Sequence, residues 1–332
     1  MRRLATGKMP IEVLNRTVLH MTGVPSRRLV AGPKAGVDFA AIRVPGGYMI
    51  VSSDPVTGVA EGIGSYAVNV SANDVATSGI RPQFVGSVVL LPEGSTEEDL
   101  RVVAKDMDRA AKKLGISIVG GHTEVTPGLK RPIVAVTTFS FGRRFVSSDM
   151  AKEGDAILMT KTAGLEGTAV LASELGKSGR RLPATLLKRS RGLERSISVV
   201  DEAVRAFRTG SVHAMHDCTE GGVLGATYEM SLASGLGFEL WENRIPVASA
   251  TREMCRKLGL DPLKLIGSGS LLIATAQRNK ERVRRAVRRT TLVTEVGRFT
   301  KRGRHLYTGD GRRRVVSAAP EDELWRTLAR SA

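Results

Sequence analysis

Four carboxylates in the first 125 residues, Asp38, Asp54, Asp74 and Glu124, each border an apolar strand or helix. Carboxylates gathered in one place repel one another unless a divalent cation holds them. Magnesium suits such a set, because it takes oxygen ligands and bridges carboxylates to substrate phosphates. The expected chemistry is therefore nucleotide binding. Each residue alone has a plainer reading: Asp38 and Asp54 as turn residues, Asp74 as a helix residue packed against an arginine. Asn73-Asp74 carries more weight. The pair interrupts an otherwise small and apolar run, with Tyr66 to Ala72 before it and Val75-Ala76 after. If buried, both must find partners, which a ligand would supply.

Gly120-Gly121 follows a short strand and can present backbone N–H groups to an anion. No Gly-Lys-Ser/Thr element and no Gly-x-Gly-x-x-Gly signature accompanies it, which excludes a P-loop and a dinucleotide fingerprint. His122 beside Glu124 reads as an acid–base or ligand pair, or as a hydrogen-bonding loop histidine. His216-Asp217 with Glu220 forms a second polar cluster, with helix capping by Asp217 or Thr219 as the plainer reading.

The elements that must position these residues follow from patterning. Residues 40–44 and 48–52 read as a hairpin around Pro45-Gly46-Gly47, with Asp54 ending the second strand. The spacing predicts a buried helix over 64–78, stopped by Gly79-Ile80-Arg81-Pro82, and a strand over 84–91. Thr96 or Ser95 caps an amphipathic helix whose apolar face runs from Leu100 to Leu114. A short strand over 116–119 then leads into the Gly120-Gly121 turn, and another strand covers 133–141. A polar segment, Ser147 to Asp155, divides the chain into domains 1–146 and 147–332. In the second, strands over 156–160, 212–215, 238–240 and 271–276 alternate with helices over 168–175, 196–209, 223–234 and 280–289, before a final strand pair. The expected class is α+β, a mixed α/β fold in two domains.

Composition sets further bounds. The 332 residues exceed one ordinary core and indicate two domains of roughly 150 residues each. The two cysteines, Cys218 and Cys255, have no metal-ligand spacing and indicate no disulfide framework. Residues 1–10 hold no apolar leader, and no stretch reaches the ~18 apolar residues of a membrane span. The expectation is a soluble, cytoplasmic protein. The formal net charge of +17 raises nucleic acid as a partner, since clustered Lys and Arg release counterions from phosphates. Against it, Val283, Ala286 and Val287 interrupt the basic run 278–289 at helical spacing, as on a solvated helix face. Only four Tyr, eight Phe and two Trp are present, so stacking platforms for bases are scarce. The charge could equally serve an anionic substrate.

Seven segments occur in a telling order: Gly36-Val37-Asp38-Phe39-Ala40-Ala41-Ile42, Ser53-Asp54, Ala72-Asn73-Asp74-Val75-Ala76-Thr77-Ser78-Gly79 with Pro82, Gly120-Gly121-His122-Thr123-Glu124, Gly154-Asp155, His216-Asp217-Cys218-Thr219-Glu220-Gly221-Gly222, and Gly267-Ser268-Gly269-Ser270 running into Leu271-Leu272-Ile273-Ala274. The series resembles the motifs of the aminoimidazole ribonucleotide synthetase (PurM) superfamily, and within it the hydrogenase maturation HypE family, over about residues 30 to 300. The resemblance implies two α/β-type domains, the N-terminal ones of two chains pairing into a β-barrel in a homodimer, with ATP and Mg2+ in a cleft beside it. It implies metal contacts from Asp38, Asp54 and Asp74, nucleotide contacts from Asp54, Asn73, Asp74, Gly120, Gly121 and Thr123, and catalytic roles for His122, Glu124 and Asp217.

Departures are visible. Phe39 stands where the motif has a second aspartate. His122 stands where HypE and thiamine-monophosphate kinase are acidic, although selenophosphate synthetase shows histidine there. The chain finishes Leu328-Ala329-Arg330-Ser331-Ala332 without the terminal cysteine of HypE, and no cysteine precedes Asp38. The implied function is an ATP-dependent enzyme that phosphorylates or dehydrates an unassigned amide-type substrate. The alternatives are a small-molecule kinase resembling thiamine-monophosphate kinase, and a non-catalytic, basic nucleic-acid-binding or assembly protein on the same scaffold.

Overall fold

Buried and half-exposed residues alternate along Ile133–Gly142, the period-2 pattern of a strand with one face on a core. In the computed structural model, which describes residues 4, 6–57, 59, 61–177 and 182–329, this strand lies inside a six-stranded sheet. The terminal Arg330-Ser331-Ala332, and residues 1–3 and 5 of the N-terminal segment, lie outside the described residues. The sheet consists of β1 (Leu29–Ala31), β2 (Ala40–Val44), β3 (Gly47–Val56), β4 (Phe84–Leu91), β5 (Ser117–Val125) and β6 (Ile133–Gly142), in the order β1-β2-β3-β6-β4-β5. All neighbours are antiparallel except β4 and β5. After a short α1 (Ile11–Thr17), two helices cover the inner face: α2 (Ile63–Thr77) and α3 (Glu97–Leu114). Thr96 and Asp99 close a reciprocal capping box at the start of α3, satisfying two N–H groups the helix itself cannot. Val103, Met107, Ala110, Ala111 and Leu114 form its buried stripe, as the spacing predicts.

A second, seven-stranded sheet starts at β7 (Ala156–Thr160) and adds β8 (Val212–Asp217), β9 (Gly237–Trp241), β10 (Leu271–Thr275), β11 (Val293–Thr300), β12 (Arg304–Tyr307) and β13 (Arg313–Val315). Its order is β13-β12-β9-β11-β7-β10-β8. Around it stand α4 (Leu165–Lys177), α5 (Ala184–Arg191), α6 (Val200–Arg208), α7 (Gly222–Ser234), α8 (Ser249–Leu258), α9 (Lys280–Arg288) and α10 (Glu323–Ala329). The basic helix α9 buries Val283 and Val287, so its arginines form a solvated face as expected.

Helix α2 is the junction of the halves. It packs on β3, β6 and α3 on one side and on β8 and α6 on the other, and one apolar cluster runs through both halves, from Val85 and Met107 to Leu171 and Ile273. Nearly all-round burial explains its composition: no face of α2 is free to be polar.

Three expectations need correction. The turn expected at Gly120-Gly121 is strand, because β5 continues to Val125 in register with β4. The two glycines accommodate a register slip at Gly86; at Gly121, with φ +157°, a Cβ would stand 1.8 Å from the Ser87 carbonyl oxygen. Asp54 does not end β3 but lies within it, since β6 pairs with β3 as far as Val56. The single helix expected over 196–209 begins only at Val200, because the backbone at Ile197 and Val199 is hydrogen-bonded to the side chain of Asn73 on α2. Helices α5 and α8 fall where no helix was expected.

Gly36 fixes the approach of the turn before β2 to α7. Its φ is +79°, and a Cβ would lie 2.3 Å from the Glu229 carbonyl oxygen. Gly46, at the hairpin tip, has φ +81° with nothing within 4 Å. Gly46→Ala should therefore cost only the left-handed backbone penalty, about 1 kcal/mol. Gly36→Ala should cost clearly more in urea denaturation, and equal losses would show that the close approach does not matter.

Candidate functional site

The elements converge on a group of carboxylates between the two halves. Asp38 stands in the turn before β2, Asp54 on β3, Asp74 in the last turn of α2 and Asp217 at the end of β8. Alternation along β3 puts Ser52 and Asp54 on the same face as the buried Ile50, toward α2. Ser52 Oγ then lies 2.8 Å from Asp74 Oδ2, 3.2 Å from Asp54 Oδ2 and 2.9 Å from the Asp38 carbonyl oxygen. A hydroxyl has one proton to donate. It cannot serve three acceptors, so the arrangement calls for a protonated carboxyl or a cation.

Burial holds the Asp74 carboxyl well above the usual range, and Asp54 and Asp217 push it further up. Burial raises Asp217 likewise, helped by Asp38. Asp38 is pushed up to about 6, burial outweighing the attraction of His216. His216 is the counterion. Its Nε2 is 3.2 Å from both Asp38 Oδ1 and Glu229 Oε2, and Nδ1 donates to the Asp217 carbonyl oxygen at 2.7 Å. Burial would lower its pKa, but Asp38 and Glu229 raise it to about 9. Lys8, from the N-terminal segment, donates to Glu229 at 2.7 Å. Burial works against the Glu229 charge, yet Lys8 and His216 hold the carboxyl down at about 2.

These residues suit a hard cation. Asp38 Oδ2 and both carboxylate oxygens of Asp217 are buried without a hydrogen-bond partner, which costs free energy that a bound ion would recover. Atoms of Asp38, His216 and Asp217 lie within 4.8 Å of one another. With His216 doubly protonated, the donors left are carboxylate oxygens, the set magnesium prefers.

Asp38, Asp54 and Asp74 open onto a cavity of about 960 Å3 walled by α1, β3, α2, α4 and α10, large enough for two reactants together. Six carboxylates line it, against Lys8, Lys34 and Arg131. Those three cations are paired with Glu229, Asp149 and Glu174. The chain's positive excess therefore does not reach this cavity, and the anionic substrate that the net charge allowed finds no free cation among the described lining residues.

Of the residues singled out from sequence, the fold gathers Asp38, Asp54, Asp74 and Asp217. Asn73 adjoins them, but its amide is spent on Ile197 O and Val199 N at 2.9 and 2.8 Å; it joins the halves instead of reaching a ligand. Gly120, Gly121, His122, Thr123 and Glu124 line no part of the cavity. They sit on the edge strand, three strand spacings or roughly 14 Å from β3, where His122 Nε2 is 3.0 Å from Glu124 Oε2 in solvent. The capping expected of Asp217 or Thr219 is absent, as α7 starts at a left-handed Gly221. Lys8, Ser52, Glu166 and Glu229 were missed. Glu229 and Glu166 carry the signal that marked Asp74, a charge inside a helix of small and apolar residues.

Comparison with known proteins places the fold in a family. Residues 36–142 match the N-terminal domain, and residues 152–308 the C-terminal domain, of AIR synthase related proteins. The chain belongs to that family, with its two-domain PurM-like fold. It is 31% identical to carbamoyl dehydratase HypE of Azotobacter vinelandii over 76% of this chain and 74% of that one. Hydrogenase maturation protein HypE in complex with ATP superposes with a TM-score of 0.72 at 23% identity, covering 95% of this chain and 93% of the other. AaThiL complexed with AMPPCP and TMP gives a TM-score of 0.72 at 19% identity, over 93% and 94%.

The His216 imidazolium has a pH signature. Its folded pKa of about 9 exceeds the unfolded 6.5, so its contribution is fully present below pH 6.5 and lost as pH rises through 9. His216→Gln should lower unfolding free energy by a few kcal/mol at pH 7, the gap to wild type narrowing toward pH 10. A gap that stays constant from pH 6 to 10 would exclude the charged form.

Proposed function

We propose that this chain is an ATP-dependent enzyme that binds MgATP at Asp38, Asp54, Asp74 and Asp217 and uses it to phosphorylate a second substrate. The observation that carries this is the gathering of Asp38, Asp54, Asp74 and Asp217, with unpartnered oxygens on Asp38 and Asp217, beside a cavity lined by the first three and large enough for both reactants. Magnesium bound there would neutralise the carboxylates and polarise the phosphates. The chain's own part is positioning and charge balance, which dominate catalysis of phosphoryl transfer. His216 and Lys8 fix Asp38 and Glu229, and Ser52 orients Asp54 against Asp74. The name of the A. vinelandii relative supports a dehydration in which phosphorylation activates an amide-type oxygen. The ThiL complex with AMPPCP and TMP supports a direct kinase reaction as the second reading.

The site is completed by a second copy. β5 is exposed along its whole length and presents an unpaired edge, with Ile118, Val119 and Val125 more than 40% exposed. Long apolar edges of this kind are ready to pair. Val88 and Phe141 extend the apolar surface across the sheet. Pairing of two such sheets would bring the His122–Glu124 pair, with Gly120, Gly121 and Thr123, to the partner's phosphate site. This gives them the nucleotide-contacting and catalytic roles that a single chain does not provide.

Two measurements test these statements. MgATP at 100 times its Kd should stabilise the chain by about 2.7 kcal/mol, and Asp74→Ala should abolish this increment, whatever its effect on the free protein. An undiminished increment would place the phosphates elsewhere. Light scattering on Val119→Lys/Val125→Lys should give a monomer where wild type is a dimer, and a wild type that is monomeric at micromolar concentration would remove the second copy.

A further inference from the structure

The phosphate reading leaves one part of the cavity unused. Glu166, at the start of α4, is 8% exposed, and Ser268, in the turn before β10, is 1% exposed; both line the cavity. Glu166 Oε2 and Ser268 Oγ are buried without a partner at full hydrogen-bond geometry, although the Ser268 hydroxyl and N–H lie close enough to draw the Glu166 carboxyl down. Neither belongs to the group of residues spaced to hold a metal, which among those described comprises Asp38, His216 and Asp217. The charge that bears on Glu166 is that of Glu220, a further carboxylate. Val170, Ile266, Leu324 and Trp325 line the cavity with them.

The chemistry of this corner excludes most ligands. A phosphate or carboxylate would meet Glu166 and Glu220 with no free cation, since Lys8, Lys34 and Arg131 are already paired. A second metal is not indicated, because among the described residues neither Glu166 nor Glu220 belongs to a set of three or more ligand atoms within reach of one another. A wholly apolar ligand would leave the buried Glu166 carboxyl with only Ser268 beside it and no opposite charge. A neutral amide or alcohol would bond Glu166 but leave its charge unmatched when ionised, whereas a donor of N–H groups carrying positive charge supplies both the hydrogen bond and the counter-charge. The neighbouring cluster shows the effect of such a charge, where Lys8 and His216 keep Glu229 ionised despite its burial. Glu166 has no cation beside it, and burial lifts its carboxyl to about 7 despite the hydrogen bonds from Ser268.

We infer that the Glu166–Ser268 end of the cavity is the acceptor subsite, and that it takes a small substrate with a cationic, N–H-donating head, ammonium or guanidinium, on an apolar body. The assignment as acceptor rests on MgATP occupying the other end; the ligand class does not.

The test is calorimetric titration of the full chain, with and without MgATP, using hexylammonium, hexylguanidinium, hexanol and hexanoate as probes. Either cation should bind, with hexanol at least about tenfold weaker and hexanoate undetected, since a charge-assisted hydrogen bond is lost. The stronger of the two cations identifies the head. Glu166→Gln, of the same shape, should weaken the cation about tenfold or more and leave MgATP binding unchanged. Ser268→Ala is the second variant, with a smaller loss in the same direction. Hexanoate or hexanol binding as tightly as the cations overturns the inference, as does cation affinity unchanged in both variants. Cation binding lost in Glu166→Gln, in a protein that never binds MgATP, would keep the subsite and remove the phosphate reading.

Discussion

Burying several carboxylates in one place is the constraint around which this molecule is arranged. Asp38, Asp74 and Asp217 are withdrawn from bulk water, which raises the proton affinity of each, and Asp38 raises that of the other two further. Such a group persists only if the surrounding fold holds it there and a positive charge offsets it. The protein supplies part of that charge from His216 and Lys8. The remainder is unmatched by the described residues, and a fold that keeps unpaired oxygens beside a cavity has accepted instability there.

The rigidity needed to do this comes from α2. The helix is apolar nearly all round and carries Asp74 in its last turn, so both halves of the molecule fix the position of that carboxyl. Asn73, beside it, uses its whole amide to hold the backbone of the second half. Two adjacent polar residues in one apolar helix thus do different work, one binding the halves together and the other facing the cavity. Membership of the AIR synthase-related family is consistent with this plan, since the matched N- and C-terminal domains are the two parts that α2 joins.

Charge is distributed against the average. The chain carries a formal +17, yet six carboxylates line this cavity against three cations that are already paired. The excess lies on solvated faces such as that of α9, whose valines are buried. Net charge describes solubility and long-range attraction, whereas recognition depends on the few groups a ligand touches. The overall charge therefore does not describe the lining of this cavity.

The sequence by itself determined much of the architecture. Alternation gave β2, β4 and β6, helical spacing with a capping residue gave α3, and an apolar helix interrupted by Asn73-Asp74 marked the centre of the site. These signals are local, set by the periods of strand and helix and by the need to pair buried polar groups. Three things were decided only by tertiary structure. Gly120-Gly121 became strand because β4 offered a ladder, and Asn73 became a strut because Ile197 and Val199 met it across 124 and 126 residues of chain. Lys8 and Glu229 became partners across 221 residues. Periodicity states which residues are buried, but not which buried group another meets, because that depends on how whole elements pack.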